Sequence, residues 1–282
     1  MSARPPAPVS VPLAAWRLVR ATAHMLHGLA VVRFEFPRLD EAGRHARIRW
    51  WSRKLLAVLG VELRAEGVSP RPGASLLVSN HVSWLDIISL HSVVPQGRFV
   101  SKADVKHWPV VGALVTGAGT LYIERERKRD AMRVIHDMAA AMRAGQTVAV
   151  FPEGTTSDGR SLLPFHANLL QAAIAEGVPI QPAVLRFSDP AHPVSPAADY
   201  TGDTTLGQSL WRISRARGLV AHVTLLPPEG TEHADRRRLA EAVRRRIDAR
   251  LREAQGLPPA DEGLPEEPAA AAAAAAASAS PR

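Results

Sequence analysis

The sequence predicts an α/β fold: a single core domain with a largely parallel β-sheet flanked by helices, preceded by a pair of N-terminal helices. Between residues 75 and 187, short apolar runs alternate with helix-length stretches, which is the pattern of β-α-β units. Residues 12–59 instead carry the three-to-four-residue periodicity of helices. With 282 residues, 46% of them hydrophobic, the chain is long enough to build a sizeable core.

Changes in composition divide the chain into four parts. The first ten residues are rich in proline and small residues, and from about Gly256 the chain becomes rich in Pro and Glu and then runs into alanines. We expect disorder over residues 1–11 and a disordered low-complexity tail over 256–282. Between them we expect a helical N-terminal region over 12–60 and one α/β domain over 61–255.

Positive charge is concentrated in the first quarter of the chain. The protein has a formal net charge of +8, and residues 1–74 hold twelve Lys and Arg against five Asp and Glu. A basic region of this kind can contact nucleic acid or an anionic lipid surface. The chain contains no cysteine, which excludes disulfides, thiolate metal sites and a cysteine nucleophile.

The first predicted helix, over residues 12–34, is amphipathic. It suits a position in a bilayer surface with its cations at the headgroups, although a helix packed on the protein's own core has the same pattern. Its longest stretch without Lys, Arg, Asp or Glu, 21–32, is shorter than the ~20 residues that a membrane-spanning helix needs. The basic stripe holds Arg17, Arg20, His24 and His27, and the apolar stripe holds Leu13, Trp16, Val19, Ala23, Leu26 and Ala30.

The second predicted helix, over residues 41–59, places paired tryptophans among basic residues. Trp50 and Trp51 lie close in sequence to Arg49, Arg53 and other cations, which is typical of an anchor at a membrane interface. RNA-binding modules also combine aromatic and basic residues, but they present them on strands or on glycine-containing loops. The N-terminal region therefore favours a lipid surface over nucleic acid as its partner.

The elements of the α/β domain follow from apolar runs and their breakers. Strands are predicted at 75–79, 97–101, 120–123, 147–151, 178–187 and 222–226. Helices are predicted from residue 83 to about 93, and at 130–144, 164–176 and 233–254. Residues 189–210 are predicted to be a loop. Because functional groups of such sheets lie where the strands end, two segments that follow strands are of particular interest.

The first segment, NHVSWLD at residues 80–86, follows the predicted strand 75–79. Ser83 resembles a helix N-cap, which places Asp86 in the first turn, able to point back to His81. A carboxylate there can orient the imidazole and stabilise its cation, so that His81 acts as a general base near neutral pH. A capped helix beside an ordinary turn histidine fits this segment equally.

The second segment, FPEGTTS at residues 151–157, follows the predicted strand 147–151. Its small residues, Gly154 and Thr155 among them, let backbone N–H groups approach an anion, and Glu153 can bind a ligand hydroxyl. An ordinary strand-to-helix turn has the same composition. The overlapping GTTSDGRS resembles a P-loop, but Arg160 stands where that motif requires lysine, which argues against nucleotide binding.

A third stretch, 119–125, ends a predicted strand with Arg125, a well-placed cation for a phosphate or carboxylate; a charged surface run is the alternative. Other chemistries lack their motifs. The chain has no G-x-S-x-G elbow, no H-E-x-x-H, no metal-ligand spacing among its histidines and no G-x-G-x-x-G after a strand. We therefore expect no metal and no bound cofactor.

Together these stretches resemble the glycerolipid acyltransferase family, over about residues 75–187. Asn80, His81 and Asp86 match its N-H-x4-D motif, and 119–125 is similar to its strand ending in arginine. The segment 151–157 matches its F-P-E-G-T-R-S motif, with Thr156 in place of the arginine. Residues 178–182 are similar to its Val-Pro-Ile motif, and Phe165-His166-Ala167 stands where Lys-x-Gly is common.

The resemblance implies a role for each matching residue. His81 would be the general base and Asp86 its partner; Arg125 would contact the phosphate of the acceptor; Pro179 would lie on the acyl-binding side. Glu153, Gly154 and Thr155 would bind substrate. Since two cations of the family pattern are absent, Lys102, Arg160 and His166 are the candidates for further headgroup contacts.

The resemblance also implies a reaction and a location. The acyl group of acyl-CoA or acyl-carrier protein would move to the free sn-2 hydroxyl of 1-acyl-glycerol-3-phosphate, giving phosphatidic acid. A lyso-ornithine lipid, which lacks the phosphate, is the alternative acceptor. A basic nucleic-acid-binding or P-loop-like protein is the alternative from another class. The enzyme would lie on the cytoplasmic face of the inner membrane, peripheral or monotopic.

Overall fold

The computed structural model describes residues 7–70, 72–123 and 128–259, with the backbone alone for 128–131. Most of the two ends predicted to be disordered falls outside these ranges. Residues 7–11 fall inside them, and there the prediction is wrong: Val9 is buried, and its N–H donates to Arg215 O at 2.9 Å. This contact joins the start of the described chain to the last residue of the helix Leu206–Arg215.

Seven strands form one sheet in the order β1-β7-β6-β2-β5-β3-β4. The five strands β2 to β6 run parallel, whereas β7 is antiparallel to β6 and pairs in parallel with β1. The prediction of a largely parallel sheet is confirmed. The strands are β1 (Val61–Gly67), β2 (Ser75–Ser79), β3 (Arg98–Lys102), β4 (Leu121–Ile123), β5 (Thr147–Val150), β6 (Ile180–Ser188) and β7 (Leu219–Leu225).

Eight α-helices accompany the sheet in the described residues. They are α1 (Val11–Ala30), α2 (Glu41–Leu59), α3 (Leu85–His91), α4 (Val111–Gly117), α5 (Lys128–Arg143), α6 (Gln171–Glu176), α7 (Leu206–Arg215) and α8 (Arg236–Gln255). The chain leaves α1 through one wide turn at Val31–Glu35 and a short 3₁₀ turn at Phe36–Arg38. No helix within the described ranges is both long and apolar enough to cross a membrane.

Several elements differ from the prediction, and one of them, helix α4, was not predicted at all. Strand β1 was not predicted, because its sequence VELRAEG is charged and most of its residues are exposed, as suits a strand at the edge of a sheet. Helix α7 begins inside the predicted loop 189–210, where Thr205 and Gln208 form a capping box. The predicted helix at 164–176 begins with a 3₁₀ turn at Ala167–Leu170 and becomes α-helical only at Gln171.

Helices cover both faces of the sheet. On one face, the buried side chains of Leu76 and Val78 pack with the inner stripe of α8, and with residues of α5 and α6. On the other face, Leu77 and its neighbours pack with residues of α3 and the segment after it. Burial on both faces explains why β2 reads as the continuous run SLLVS rather than as an alternating strand.

Arg17 and His24 of the polar stripe of α1 face the protein, whereas Arg20 and His27 of the same stripe are exposed. Arg17 Nη1 donates to Ser214 O at 3.0 Å and to Ala216 O at 3.2 Å, and His24 Nε2 lies 2.9 Å from Trp51 O. Burial is the main reason why the pKa of His24 is lowered. The predicted placement of these two basic groups at lipid headgroups is therefore wrong, and the apolar stripe of α1 is left exposed.

Candidate active site

The two motifs meet at the carboxyl ends of β2 and β5, which are neighbours in the sheet. His81 follows β2 by two residues, and Phe151 follows β5 directly. Asn80 holds the chain as it leaves β2: its Oδ1 accepts from Leu185 N and its Nδ2 donates to Leu185 O, both at 2.8 Å. This buried side chain thus extends the pairing of β2 with β6 and fixes the backbone beside His81.

The imidazole of His81 is oriented by Asp86. The Nδ1 atom of His81 lies 2.7 Å from Asp86 Oδ2, which also accepts from Val82 N at 2.6 Å and from Ser83 N at 2.9 Å. Asp86 is fully buried in the first turn of α3, whose N-cap is Trp84 rather than the predicted Ser83. With Nδ1 directed at the carboxylate, Nε2 is the nitrogen that can take a proton.

Aromatic rings support the imidazole on one side. The ring of Phe151 stacks on that of His81, with centroids 4.0 Å apart and planes 10° apart. Phe99 stacks on Phe151 at 5.7 Å, and the buried His91 meets Phe99 edge to face at 4.8 Å. These four residues form the aromatic column; its packed rings limit the rotation of His81.

Glu153 joins the two motifs through their backbones. Its Oε1 accepts from His81 N at 2.8 Å and its Oε2 accepts from Leu163 N at 2.9 Å. Burial raises the pKa of Glu153 more than these two hydrogen bonds lower it. Because the side chain is 4% exposed and both oxygens are used by backbone N–H groups, the predicted contact of Glu153 with a ligand hydroxyl does not fit this structure.

The turn after Glu153 closes against the same histidine. Ser157 N donates to His81 O at 2.8 Å. Gly154 adopts a φ of +73°, and a Cβ at this position would lie 3.0 Å from the ring of His166. The turn therefore requires glycine for its backbone conformation, and it brings His166 beside the motif. Segments 70 residues apart in the chain form one cleft.

Comparison with known proteins identifies the family. A family model described as "Acyltransferase" matches residues 60–186. A Pseudomonas aeruginosa protein named lyso-ornithine lipid O-acyltransferase is 36% identical over 217 residues, which cover 77% of this chain and 83% of that relative. The chain belongs to the glycerolipid acyltransferase family.

Other relatives of this acyltransferase carry a different substrate name. A 1-acyl-sn-glycerol-3-phosphate acyltransferase of Neisseria meningitidis is 35% identical, with 70% of this chain and 77% of that protein covered. The crystal structure of the 1-acyl-sn-glycerophosphate acyltransferase of Thermotoga maritima matches with a TM-score of 0.65, covering 86% of this chain and 95% of that chain. At 20% identity, this likeness supports the α/β fold alone.

The acyltransferase brings only some of the predicted binding residues to the cleft. Thr155 is exposed in the turn, and Lys102 is exposed at the carboxyl end of β3, on the same edge of the sheet as His81. Arg160 is exposed in the following loop, 3.9 Å from Asp158. Arg125 lies outside the described residues, so its predicted role stays a prediction.

Pro179 does not lie at the cleft. Its carbonyl accepts from Leu76 N at 3.0 Å, at the amino ends of β6 and β2. Five residues of strand, about 15 Å, separate Leu76 from His81. The structure therefore gives no contact between Pro179 and the reacting end of an acyl chain.

Within the described ranges, no group of three or more His, Asp or Glu side chains could hold a metal ion.

Sequence reasoning missed three contributors to this site. The ring of Phe151 was noted only as part of the second motif, and Phe99 only as part of a strand. Thr156, which replaces the arginine of the family pattern, donates from Oγ1 to Tyr200 O at 2.6 Å. No local sequence pattern predicts these contacts, because each joins residues 44 or more positions apart.

Proposed function

We propose that this acyltransferase moves a fatty acyl group from acyl-CoA or acyl-carrier protein to the free sn-2 hydroxyl of 1-acyl-glycerol-3-phosphate, giving phosphatidic acid. The observation that carries the proposal is the oriented imidazole of His81 at the carboxyl end of β2. Its Nδ1 lies 2.7 Å from Asp86, which is fully buried. Relatives named for this reaction support the choice of substrate class.

The reaction follows from this arrangement in two proton transfers. His81 Nε2 takes the proton of the acceptor hydroxyl while its oxygen attacks the thioester carbonyl carbon, and Asp86 stabilises the resulting imidazolium. The tetrahedral intermediate collapses, the C–S bond breaks, and the thiolate leaves with the proton from Nε2. No acyl-enzyme is formed, so the donor and acceptor must occupy the cleft together.

Backbone N–H groups of the 154–157 turn can receive the oxyanion of the intermediate. The N–H of Gly154 donates to Phe151 O at 3.0 Å, and that of Ser157 donates to His81 O. The candidates are therefore the N–H groups of Thr155 and Thr156, which lie between them in the turn. This assignment replaces a direct role for Glu153 in binding, since its carboxylate positions the backbone instead.

The lyso-ornithine lipid is a second candidate acceptor, favoured by one feature of the cleft. Where the family pattern has arginine, Thr156 holds Tyr200 O and adds no positive charge. An acceptor without a phosphate needs fewer cations around its headgroup. Several relatives that cover most of this chain are also named lyso-ornithine lipid O-acyltransferases.

Purified enzyme assayed with both acceptors tests the proposed function. With 1-acyl-glycerol-3-phosphate as substrate, His81→Ala is expected to lower kcat by at least about 10³-fold, because the general base is lost. His192→Ala is the matched control, since His192 also contacts an aspartate but in an exposed loop. Turnover of lyso-ornithine lipid alone would transfer the proposal to the second acceptor; full activity of His81→Ala would refute both.

We further propose that the exposed stripe of α1 binds the cytoplasmic face of the inner membrane. Trp16, Val19 and Leu26 are each more than half exposed, and Trp50 of α2 is 45% exposed. Apolar side chains gathered on one side of a helical pair gain stability by entering the acyl boundary of a bilayer. The same surface would place the cleft within reach of a lipid acceptor.

Co-sedimentation with phosphatidylglycerol vesicles tests this surface. The double variant Trp16→Ser/Leu26→Ser is expected to weaken vesicle binding by at least about tenfold, from the apolar area it removes. Leu257→Ser, at a leucine after α8 that is 45% exposed, serves as the control. Equal binding of both variants would show that α1 does not contact the bilayer.

A further inference from the structure

A basic cavity lies on the α8 side of the sheet, over β6, β7 and β1, which are one, two and three strands from β2. Its volume is about 320 Å³. Three of its residues are register neighbours across β1, β7 and β6: Arg64 pairs with His222, and His222 pairs with Arg186. Arg250 of α8 also lines it. We call this cavity the arginine pocket; four basic side chains facing one space imply an anionic ligand.

Carboxylates neutralise two of the three arginines. Arg64 Nε lies 2.8 Å from Glu62 Oε1, and both groups are exposed. Arg250 contacts Glu66 Oε1 at 2.5 Å and Glu253 Oε2 at 3.3 Å. Glu66 is also held by the hydroxyl of Thr224. Each of these acidic groups therefore has a partner already.

Arg186 has no carboxylate partner within the described residues. Its Nη1 donates to Pro193 O at 2.6 Å, whereas its buried Nε donates to no acceptor there. Burial and the neighbouring Arg250 lower the pKa of Arg186, which marks a cation placed at a cost. The guanidinium of Arg186 lines the cavity without a carboxylate partner from the described residues, and an anion bound in the cavity would supply one.

The arginines of the pocket also affect the pKa of His222. Its Nε2 lies 2.8 Å from Ser188 Oγ. Burial, together with the charges of Arg186 and Arg64, lowers the pKa of His222 to about 4, and Glu66 and Glu62 offset only part of this shift. The imidazole is therefore neutral near pH 7 and can hydrogen-bond a ligand without adding charge.

The pocket and the cleft share one end of the sheet. Arg186 follows Leu185, whose backbone is held by Asn80 beside His81. In α8, Gln255 lies one turn beyond Arg250 and donates to Gly159 O at 3.2 Å, in the loop that packs on Val82. A ligand with a phosphate in the pocket could therefore extend along this loop toward His81.

We propose that the arginine pocket binds a phosphate-class anion, held by Arg186 with help from Arg64, Arg250 and His222. Two sources have this chemistry: a phosphate group of the acyl donor, which rests on the proposed function, or free inorganic phosphate. If a phosphate of the acyl donor is bound in the arginine pocket, the flexible arm of the donor would carry its thioester to the cleft.

Calorimetric titration of the full chain with inorganic phosphate tests the pocket itself. Arg186→Gln and Arg64→Gln are each expected to weaken binding by about tenfold, the loss typical of one charged hydrogen bond. Arg245→Gln, an exposed arginine of α8 outside the pocket, is the control and should bind as the original protein does. Folding of each variant is checked by circular dichroism, and Arg64 is exposed enough for its replacement to be tolerated.

Competition distinguishes the sources of the anion. Displacement of phosphate by CoA, together with a raised KM for acyl-CoA in Arg186→Gln, assigns the pocket to the donor; lack of competition assigns it to free phosphate. His81→Ala should bind phosphate normally, so a failure of the proposed function leaves this result intact. Phosphate binding that is absent, or equal in Arg186→Gln and Arg245→Gln, overturns the proposal.

Discussion

The described part of the chain contains two histidine–aspartate pairs of almost equal geometry. His81 Nδ1 lies 2.7 Å from Asp86, and His192 Nδ1 lies 2.9 Å from Asp189. Asp86 is fully buried in the first turn of α3, whereas Asp189 and His192 occupy a loop in which the histidine is 45% exposed. Distance alone therefore does not distinguish the proposed catalytic pair from a loop contact.

The surroundings make the difference between the two pairs. Burial tends to raise the pKa of Asp189, but hydrogen bonds from Ser195, Ala191 N and His192 outweigh it, so that the carboxyl is stabilised as a loop anchor. At Asp86 the same kind of backbone contact is combined with an aromatic wall and a second buried carboxylate, Glu153. A histidine that is oriented on several sides can serve as a base; one that is held on a single side stabilises its loop.

The largest expected effect comes from exchanging each carboxylate for an amide. Asp86→Asn places an N–H₂ group or a single oxygen where Oδ2 now receives three donors, and it favours the tautomer in which Nε2 carries the proton. We expect kcat to fall by about 10³–10⁴-fold with the fold retained. Asp189→Asn should leave kcat unchanged. Steady-state assays at saturating substrate decide; similar losses in both variants would erase the distinction.

The next largest effect is expected at Glu153, the buried carboxylate beside the His81–Asp86 pair. Glu153→Gln keeps the size of the side chain but lets its amide accept from only one of the two N–H groups, of His81 and Leu163. One unsatisfied buried N–H costs about 1–3 kcal/mol, so we expect kcat to fall by about 10–100-fold. Glu241→Gln, at a half-exposed glutamate of α8, is the control. If only KM for the acceptor changed, Glu153 would be a binding group after all.

How far the sequence predicts this site depends on the range of each contact. The His81–Asp86 pair spans five residues, and the capping pattern from Ser83 to Asp86 places Asp86 in the first turn of α3 correctly, although the N-cap is Trp84. The position of both motifs at the ends of strands was also predicted, because functional groups of parallel sheets lie there. The role of Glu153 was not predicted, since the donors to its carboxylate are backbone N–H groups 72 and 10 residues away.

The fold shows the same division. The predicted ends of α2, residues 41 and 59, match the structure, in which Asp40 and Gly60 cap the helix. The orientation of α1 was not predicted, because both of its stripes have helical spacing. Only the tertiary contacts of Arg17 and His24 with α7 and α2 reveal which stripe faces the protein.

A smaller effect is expected at the far end of the aromatic column. Burial lowers the pKa of His91 to about 4, while its N–H contact with Gly97 O and the more distant His45 change it less. Because the unfolded chain binds this proton more readily, the stability due to neutral His91 is complete above pH ~6.5 and is lost as pH falls toward 4. Urea unfolding at pH 7.5 and 5 should differ by roughly 1–2 kcal/mol more in the original protein than in His91→Gln. Equal differences in the two proteins would place His91 in water.

The smallest effect is expected from replacing Phe151, whose ring packs on the histidine of the first pair. Phe151→Leu keeps an apolar side chain beside His81 but removes the stacked face at 4.0 Å. Such stacking contributes about 0.5–1.5 kcal/mol, so we expect kcat to fall by about two- to tenfold with KM unchanged. Phe187→Leu is the control, because that buried ring lies in the core beside Leu85 and its loss should lower stability without lowering kcat. A decrease in kcat that merely follows stability in both variants would show that Phe151 fills space rather than positions the base.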